Sequence, residues 1–140
     1  LDSCFAMSHA VWSGMKARTW GRIVNISSIN GQAGQFGQVN YAAAKAGILG
    51  FTKALAQEGA RDGVTVNAIA PTVFRSPLTA WMYEDNENAT NVRKGFLSRV
   101  PKGRLGEPSD LAGPLLFLAS DASAFYTGHI LYADGGYTAG

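Results

Sequence analysis

Apolar and polar positions change period along this chain, and the changes mark its elements. Phe5, Val11, Trp12 and Met15 fall on a rough helical stripe that is already under way at Leu1. The polar stretch KARTWG breaks it, and RIVNIS, Arg22 to Ser27, is a β-branched run of strand length. Residues 38–61 read as one long helix, in which Ala42, Ala43, Ala44, Ala46, Leu49, Leu55 and Ala56 supply helix propensity and small packing surfaces. Asp62-Gly63 stops it. VTVNAIAP is a second strand, closed by Pro71, which cannot donate to a ladder.

Two apolar strands joined by a helix of this length make a parallel crossover, which predicts an α/β fold with a doubly wound, Rossmann-like parallel sheet. Periodicity is lost over residues 72–106, where Trp81, Met82 and Tyr83 mix with charges. A structureless connection of that length is uncommon and points to function, with one or two short helices expected inside it. EPSDLAGPLLFLAS restores the helical pattern, with Pro108 in the first turn and Pro114 placed to bend the helix. HILYADGG reads as a last short strand and a turn.

Composition narrows the class. The chain has 140 residues, 46% hydrophobic and 16% charged, enough for one domain with a real core. Its net charge of +2 is not gathered into a basic block, so neither nucleic acid nor a membrane surface is expected as a partner. Cys4 is the single cysteine and the two histidines, His9 and His129, lie far apart, so neither a disulfide nor a structural metal is expected. With no long apolar span and no signal-peptide pattern at the start, a cytoplasmic location is expected.

The stretch SSINGQAGQFGQVNYAAAKAG, Ser27 to Gly47, runs from strand end to helix. Gly31, Gly34 and Gly37 stand where a dinucleotide loop would stand, but they lack the G-x-G-x-x-G spacing, and the loop from Ile29 to Gln38 is too long to press a helix N-terminus on a pyrophosphate. Such glycines instead let a loop fold closely over a neighbouring site. Tyr41 and Lys45 emerge on one helix face, one turn apart. A phenol is a poor acid or base near neutrality, and a neighbouring ammonium favours the phenolate, so the two together make an acid/base unit. Ser28, at the end of the preceding strand, can turn a hydroxyl into the same crevice, and the three residues suit a carbonyl group.

These residues sit within a longer set of motifs: GRIVNISSINGQ, NYAAAKAGILGFTKALAQE, GVTVNAIAP, GRLGEPSDLA, FLASDASAFYTGHIL and DGGY. In that order they resemble the classical short-chain dehydrogenases/reductases over nearly the whole chain. The resemblance implies Ser28 as the carbonyl-orienting hydroxyl, in preference to Ser27. It implies Tyr41 as the acid/base, and Lys45 as the residue that binds the nicotinamide ribose and favours the phenolate. It implies Pro71, Thr72, Val73, Phe74 and Ser76 at the nicotinamide end, with Thr72 in place of the family's usual glycine and Ser76 in place of its threonine. Gln35 and Phe36, from the loop that flanks the substrate pocket, and Trp81, from the lid region, are the implied substrate contacts. It implies NAD or NADP as the cofactor, a choice that the residues of this chain do not decide. The chain is expected to be the C-terminal half of one such domain, with the substrate region at about 72–106, because the family's phosphate-binding glycine loop, its N-A-G segment and its catalytic asparagine are not in the sequence.

Two substrate classes are suggested. INGQAGQFGQVNY resembles the loop of acetoacetyl-CoA and 3-oxoacyl reductases, while GHILYADGGYTAG resembles sugar-acid and polyol dehydrogenases such as gluconate 5-dehydrogenase. Arg75, Arg93, Lys94, Arg99, Lys102 and Arg104 offer cations for a phosphate-bearing carrier, although the interleaved Glu84, Asp85 and Glu87 favour a solvated mixed-charge surface. Trp81, Met82 and Tyr83 are either a lid or the core of a short helix. The resemblance implies a homotetramer or homodimer, with Phe117, Phe125 and Tyr132 available for one contact. The contrasting expectation is a non-catalytic binding or oligomerisation module.

Overall fold

The computed structural model describes residues 1–139. Helix α1 (Asp2–Ala17) leads to strand β1 (Gly21–Ile26), a single helical turn α2 (Asn30–Ala33), the long helix α3 (Val39–Gly59) and strand β2 (Val64–Pro71). A 3-10 segment (Pro77–Tyr83) and helix α4 (Glu87–Leu97) follow, then helix α5 (Ser109–Ala119) and strand β3 (Ile130–Ala133). The three strands form a parallel sheet in the order β1-β2-β3, with Gly21 opposite Val64 and Ala68 opposite Ile130. The doubly wound α/β expectation holds.

β2 is the spine of the molecule. Val64, Val66, Ala68 and Ala70 are fully buried, and Ile69 is nearly so, as a strand covered on both faces requires. On one face Val64 and Val66 meet Ala56 and Leu55 of α3, together with Trp12 and Met15 of α1. Side chains alternate across a strand, so Arg22 points to the opposite face, where it donates to Ser120 O at the end of α5 and to Asp121. Two buried polar side chains tie elements together: Asn25 Nδ2 donates to Thr52 Oγ1 at 2.9 Å, joining β1 to α3. Asn67, with no exposed surface, donates to Tyr126 O and accepts from His129 N, which pins the chain entering β3 to β2.

Several sequence expectations need adjustment. The stripe of α1 is split: Trp12 and Met15 pack inward, but Phe5 is 58% exposed, with its ring against His9 and the edge of Phe51. Pro108 stands one place before α5 as its N-cap, where Asp110 accepts a hydrogen bond from Glu107 N, and α5 runs on through Pro114. The loop from Ile29 to Gln38 is not wholly irregular, because α2 lies inside it. Residues 72–106 do contain two short helical segments.

Candidate functional site

Parallel strands deliver side chains at their C-terminal ends, and here two adjacent ends converge. Beyond β1 the backbone keeps pairing with β2, Ser27 N to Ile69 O at 2.8 Å and Ile29 N to Pro71 O at 3.1 Å. The alternation of a strand sends the two serines apart. Ser27 is 2% exposed and its hydroxyl donates to Lys45 O at 2.8 Å, so it is spent on holding α3. Ser28 is 7% exposed, and its Oγ accepts from Asn30 N at 3.2 Å. Its hydroxyl hydrogen is left to offer elsewhere.

Tyr41 stands in the first turn of α3 and Lys45 one turn later. Lys45 Nζ donates to Ile26 O at 3.0 Å and lies 5.6 Å from the centroid of the Tyr41 ring. The ammonium is thus anchored to the end of β1, two residues before Ser28, and placed beside a tyrosine that is 42% exposed.

α2 sets this spacing. A Cβ added to Gly31 would lie 2.8 Å from the carbonyl carbon of Lys45, against backbone that cannot yield. Gly34 ends the turn at a φ of +67°, a conformation that favours glycine. Gly31 thus brings the loop down on the helix, the close approach expected of these glycines, while Gly34 has open space where a Cβ would stand. Asn30 Nδ2 then donates to Gln35 Oε1 at 2.7 Å and Gln38 Oε1 at 3.0 Å, and Phe36 stands fully exposed at the tip. Asn30 was not singled out from sequence. The signal was the Ser-x-Asn spacing from Ser28, which suits a hydroxyl accepting a backbone N–H two residues on.

At the end of β2, Thr72 N donates to Ala133 O, and the Thr72 hydroxyl is buried without a partner among the described residues. Val73 and Phe74 pair instead with Gly106, and Ser76 caps the 3-10 segment through Thr79. Ser76 is therefore committed locally. Of the three lid residues, Met82 is 5% exposed, the Tyr83 ring lies under the Arg75 guanidinium at 4.1 Å, and only Trp81 is substantially open, at 44%. Of the two sequence alternatives, Met82 takes the core place, and Trp81 is exposed.

The basic residues nearby are largely engaged. Arg75 pairs with Glu107, Arg93 donates to Met82 O at 2.6 Å, and Arg99 lies over the Tyr137 ring at 4.4 Å. Arg104 forms a two-pronged bond to Asp110 at 2.7 and 2.8 Å and holds that carboxyl well below the usual carboxylate range. This favours the mixed-charge surface over a docking site for carrier phosphates.

The arrangement fits the ribose and nicotinamide end of a dinucleotide. The Lys45 ammonium has donors beyond the one given to Ile26 O, and the orphaned Thr72 hydroxyl needs a partner at a strand end. A groove of about 540 Å³ runs from Lys45 along the unpaired edge of β1, bordered by Cys4, Ser8 and Asn25. A second cleft, of about 300 Å³, lies between the end of β3 and α5, bordered by Thr72, Arg104 and Asp134.

Comparison with known proteins points to one family. Residues 1–138 match the family model described as Enoyl-(Acyl carrier protein) reductase. Acetoacetyl-CoA reductase of Shinella zoogloeoides is 54% identical over 97% of this chain and 54% of its own length. The 3-oxoacyl-[acyl-carrier-protein] reductase FabG of Vibrio harveyi is 46% identical over 97% of this chain and 53% of its own. Among solved structures, a gluconate 5-dehydrogenase from Burkholderia cenocepacia in complex with NADP and tartrate superposes with a TM-score of 0.92, at 34% identity, over 100% of this chain and 53% of that one. A putative NAD(P) dependent gluconate 5-dehydrogenase from Beutenbergia cavernae gives 0.90 at 39% identity, over 100% and 55%. The chain spans about half the length of the relatives it matches. With a family model matched over residues 1–138, and with the ordered motifs now placed on a parallel sheet, the chain belongs to the short-chain dehydrogenase/reductase family.

Proposed function

We propose that this protein is an NAD(P)-dependent oxidoreductase acting on a carbonyl or secondary alcohol, and that its substrate is a 3-oxoacyl thioester of the acetoacetyl-CoA or 3-oxoacyl-carrier type. The observation that carries the reading is the placement of Lys45 Nζ, bonded to Ile26 O at 3.0 Å and 5.6 Å from the Tyr41 ring. When bound, the nicotinamide supplies or takes up hydride at its C4 carbon. Ser28 offers its hydroxyl hydrogen to the carbonyl oxygen and orients it. Tyr41 passes the proton to that oxygen, or takes it in the reverse direction. Lys45 binds the nicotinamide ribose and favours the charge that Tyr41 develops as its proton leaves. Pro71, Thr72, Val73 and Phe74 border the nicotinamide end, whereas Gln35, Phe36 and Trp81, all exposed, border the substrate.

The thioester class is favoured by the 54% identity to an acetoacetyl-CoA reductase, and residues 1–140 are read as the reaction-bearing C-terminal half of one such domain. The structural likeness to gluconate 5-dehydrogenases motivates a sugar-acid substrate as the second reading. Two apolar patches, Phe5 and Met7 on α1, and Leu116 and Phe125 at the α5 end, suit a homodimer or homotetramer. No helix among the described residues is long and apolar enough to cross a membrane, and a cytoplasmic enzyme is proposed. The test is NAD(P)H oxidation by the intact gene product with acetoacetyl-CoA and, separately, 5-ketogluconate. Turnover of the thioester supports the leading reading, turnover of the sugar acid alone replaces it with the second, and none with any carbonyl substrate supports a binding module.

A further inference from the structure

Residues 72–106 form a stalk and a body. In the stalk, Arg75 N donates to Gly106 O at 2.8 Å and Gly106 N to Val73 O at 2.9 Å, so the outgoing and returning chains are tied together. In the body, α4 packs on the 3-10 segment around the buried Met82 and Ala89, and Arg93 stitches the two through Met82 O. The far end of the body rests on the turn after β3. There the ring of Phe96 stacks on Tyr137, with centroids 5.7 Å apart and planes at 20°, and the Arg99 guanidinium lies 4.4 Å from the same ring. Lys102 N donates to Gly135 O at 3.0 Å, and a Cβ at Gly135 would come within 2.8 Å of Val100.

The turn itself is braced. Asp134 accepts from Gly136 N with one carboxylate oxygen and from Thr138 N and Oγ1 with the other. Burial works against its charge, but the hydrogen bonds from Thr138 and Gly136 outweigh it and hold the carboxyl below its ordinary range, so the brace is charged at neutral pH. A rigid strand thus ends in a rigid turn, and that turn presents one aromatic ring to α4.

We propose that Tyr137 is a positioning residue for substrate: by holding Phe96 and Arg99 it sets where α4 and the Trp81 segment stand above the strand ends. This rests on the reading that residues 72–106 border the substrate. Tyr137 then governs substrate affinity through this segment, with Tyr41 and Lys45 untouched, because its ring contacts are to Phe96 of α4 and to Arg99 just after it. A half-buried ring held by one stack and one cation can let go without unfolding the sheet, which distinguishes it from the buried Asn25–Thr52 bond.

Amide hydrogen exchange of the intact protein, without cofactor or substrate, tests the clamp in wild type, Tyr137→Ala and Tyr137→Phe. Tyr137→Ala is expected to raise exchange over residues 87–100 about tenfold while β1 and α3 keep wild-type rates. With acetoacetyl-CoA its KM should rise about 5- to 20-fold, with kcat and the NAD(P)H affinity within about twofold, and Tyr137→Phe should restore both exchange and KM. Unchanged exchange over 87–100, a rise shared by the whole sheet, or failure of the Phe variant to rescue would overturn the proposal. If the wild type does not turn over acetoacetyl-CoA but the local exchange behaves as described, the substrate class falls and the clamp stands; KM for the accepted carbonyl substrate then decides the positioning role.

Discussion

Residues 27–45 and residues 72–106 both leave the C-terminal ends of adjacent parallel strands, yet the fold holds them by different means. The first segment is bound directly to its helix at several points: Ser27 to Lys45 O, the Gly31 backbone against Lys45, Lys45 to Ile26 O. The second is tied at its neck and then rests on the turn after β3, through the Tyr137 ring and the Lys102 N–Gly135 O bond. Groups that exchange a proton must keep their spacing within a fraction of an ångström, whereas the surface that admits a substrate must open. On the proposed function, the difference in anchoring separates a fixed chemical site from an adjustable one.

Lys45→Ala attacks the fixed side directly and carries the largest effect among the supporting residues. Turnover should fall about 100-fold or more and the cofactor Kd should rise with it, as measured by steady-state rates and NAD(P)H fluorescence titration. A variant with normal rate and affinity would remove Lys45 from the site. Gly31→Ala comes next, because its methyl would meet the Lys45 carbonyl at 2.8 Å and shift α3. It should cost about 1–3 kcal/mol of stability in a denaturant titration and lower kcat more than it raises KM. A drop in substrate affinity alone would place the loop on the adjustable side.

Asn67→Ala removes two hydrogen bonds from a fully buried position and strands Tyr126 O and His129 N. About 1–3 kcal/mol of stability should be lost, with kcat/KM of the folded protein nearly unchanged. Phe36→Ala is the mildest: at full exposure it should leave stability within about 0.5 kcal/mol, and any change should appear in the substrate KM. A lowered melting temperature for this variant would show packing that the structure does not contain.

The contrast between the two regions also explains what the sequence could disclose. Strands β1 and β2, helix α3 and the Tyr41–Lys45 face follow from period and spacing, since local propensity and burial agree there. The committed role of Ser27 is not legible, because two adjacent serines differ only in which side of the strand they face. α2 was hidden in a stretch of glycines and amides whose helical turn is stabilised by packing against Lys45, not by propensity. Phe5 shares the helical stripe of Trp12, and only the packed structure shows that Trp12 and Met15 meet the core while Phe5 stays exposed. The Tyr137 contact with Phe96 and Arg99 joins residues about forty apart through unrelated elements, and no local pattern encodes it.

The central claim is that Tyr41 transfers the proton from a site that Ser28 and Lys45 hold ready. Steady-state turnover and NAD(P)H binding of Tyr41→Phe in the intact protein test it most directly. The account predicts a loss of about 1,000-fold or more in kcat with cofactor Kd within about twofold of wild type, because only the acid/base hydroxyl has gone. Turnover at the wild-type rate would contradict it and move the proton transfer to another group.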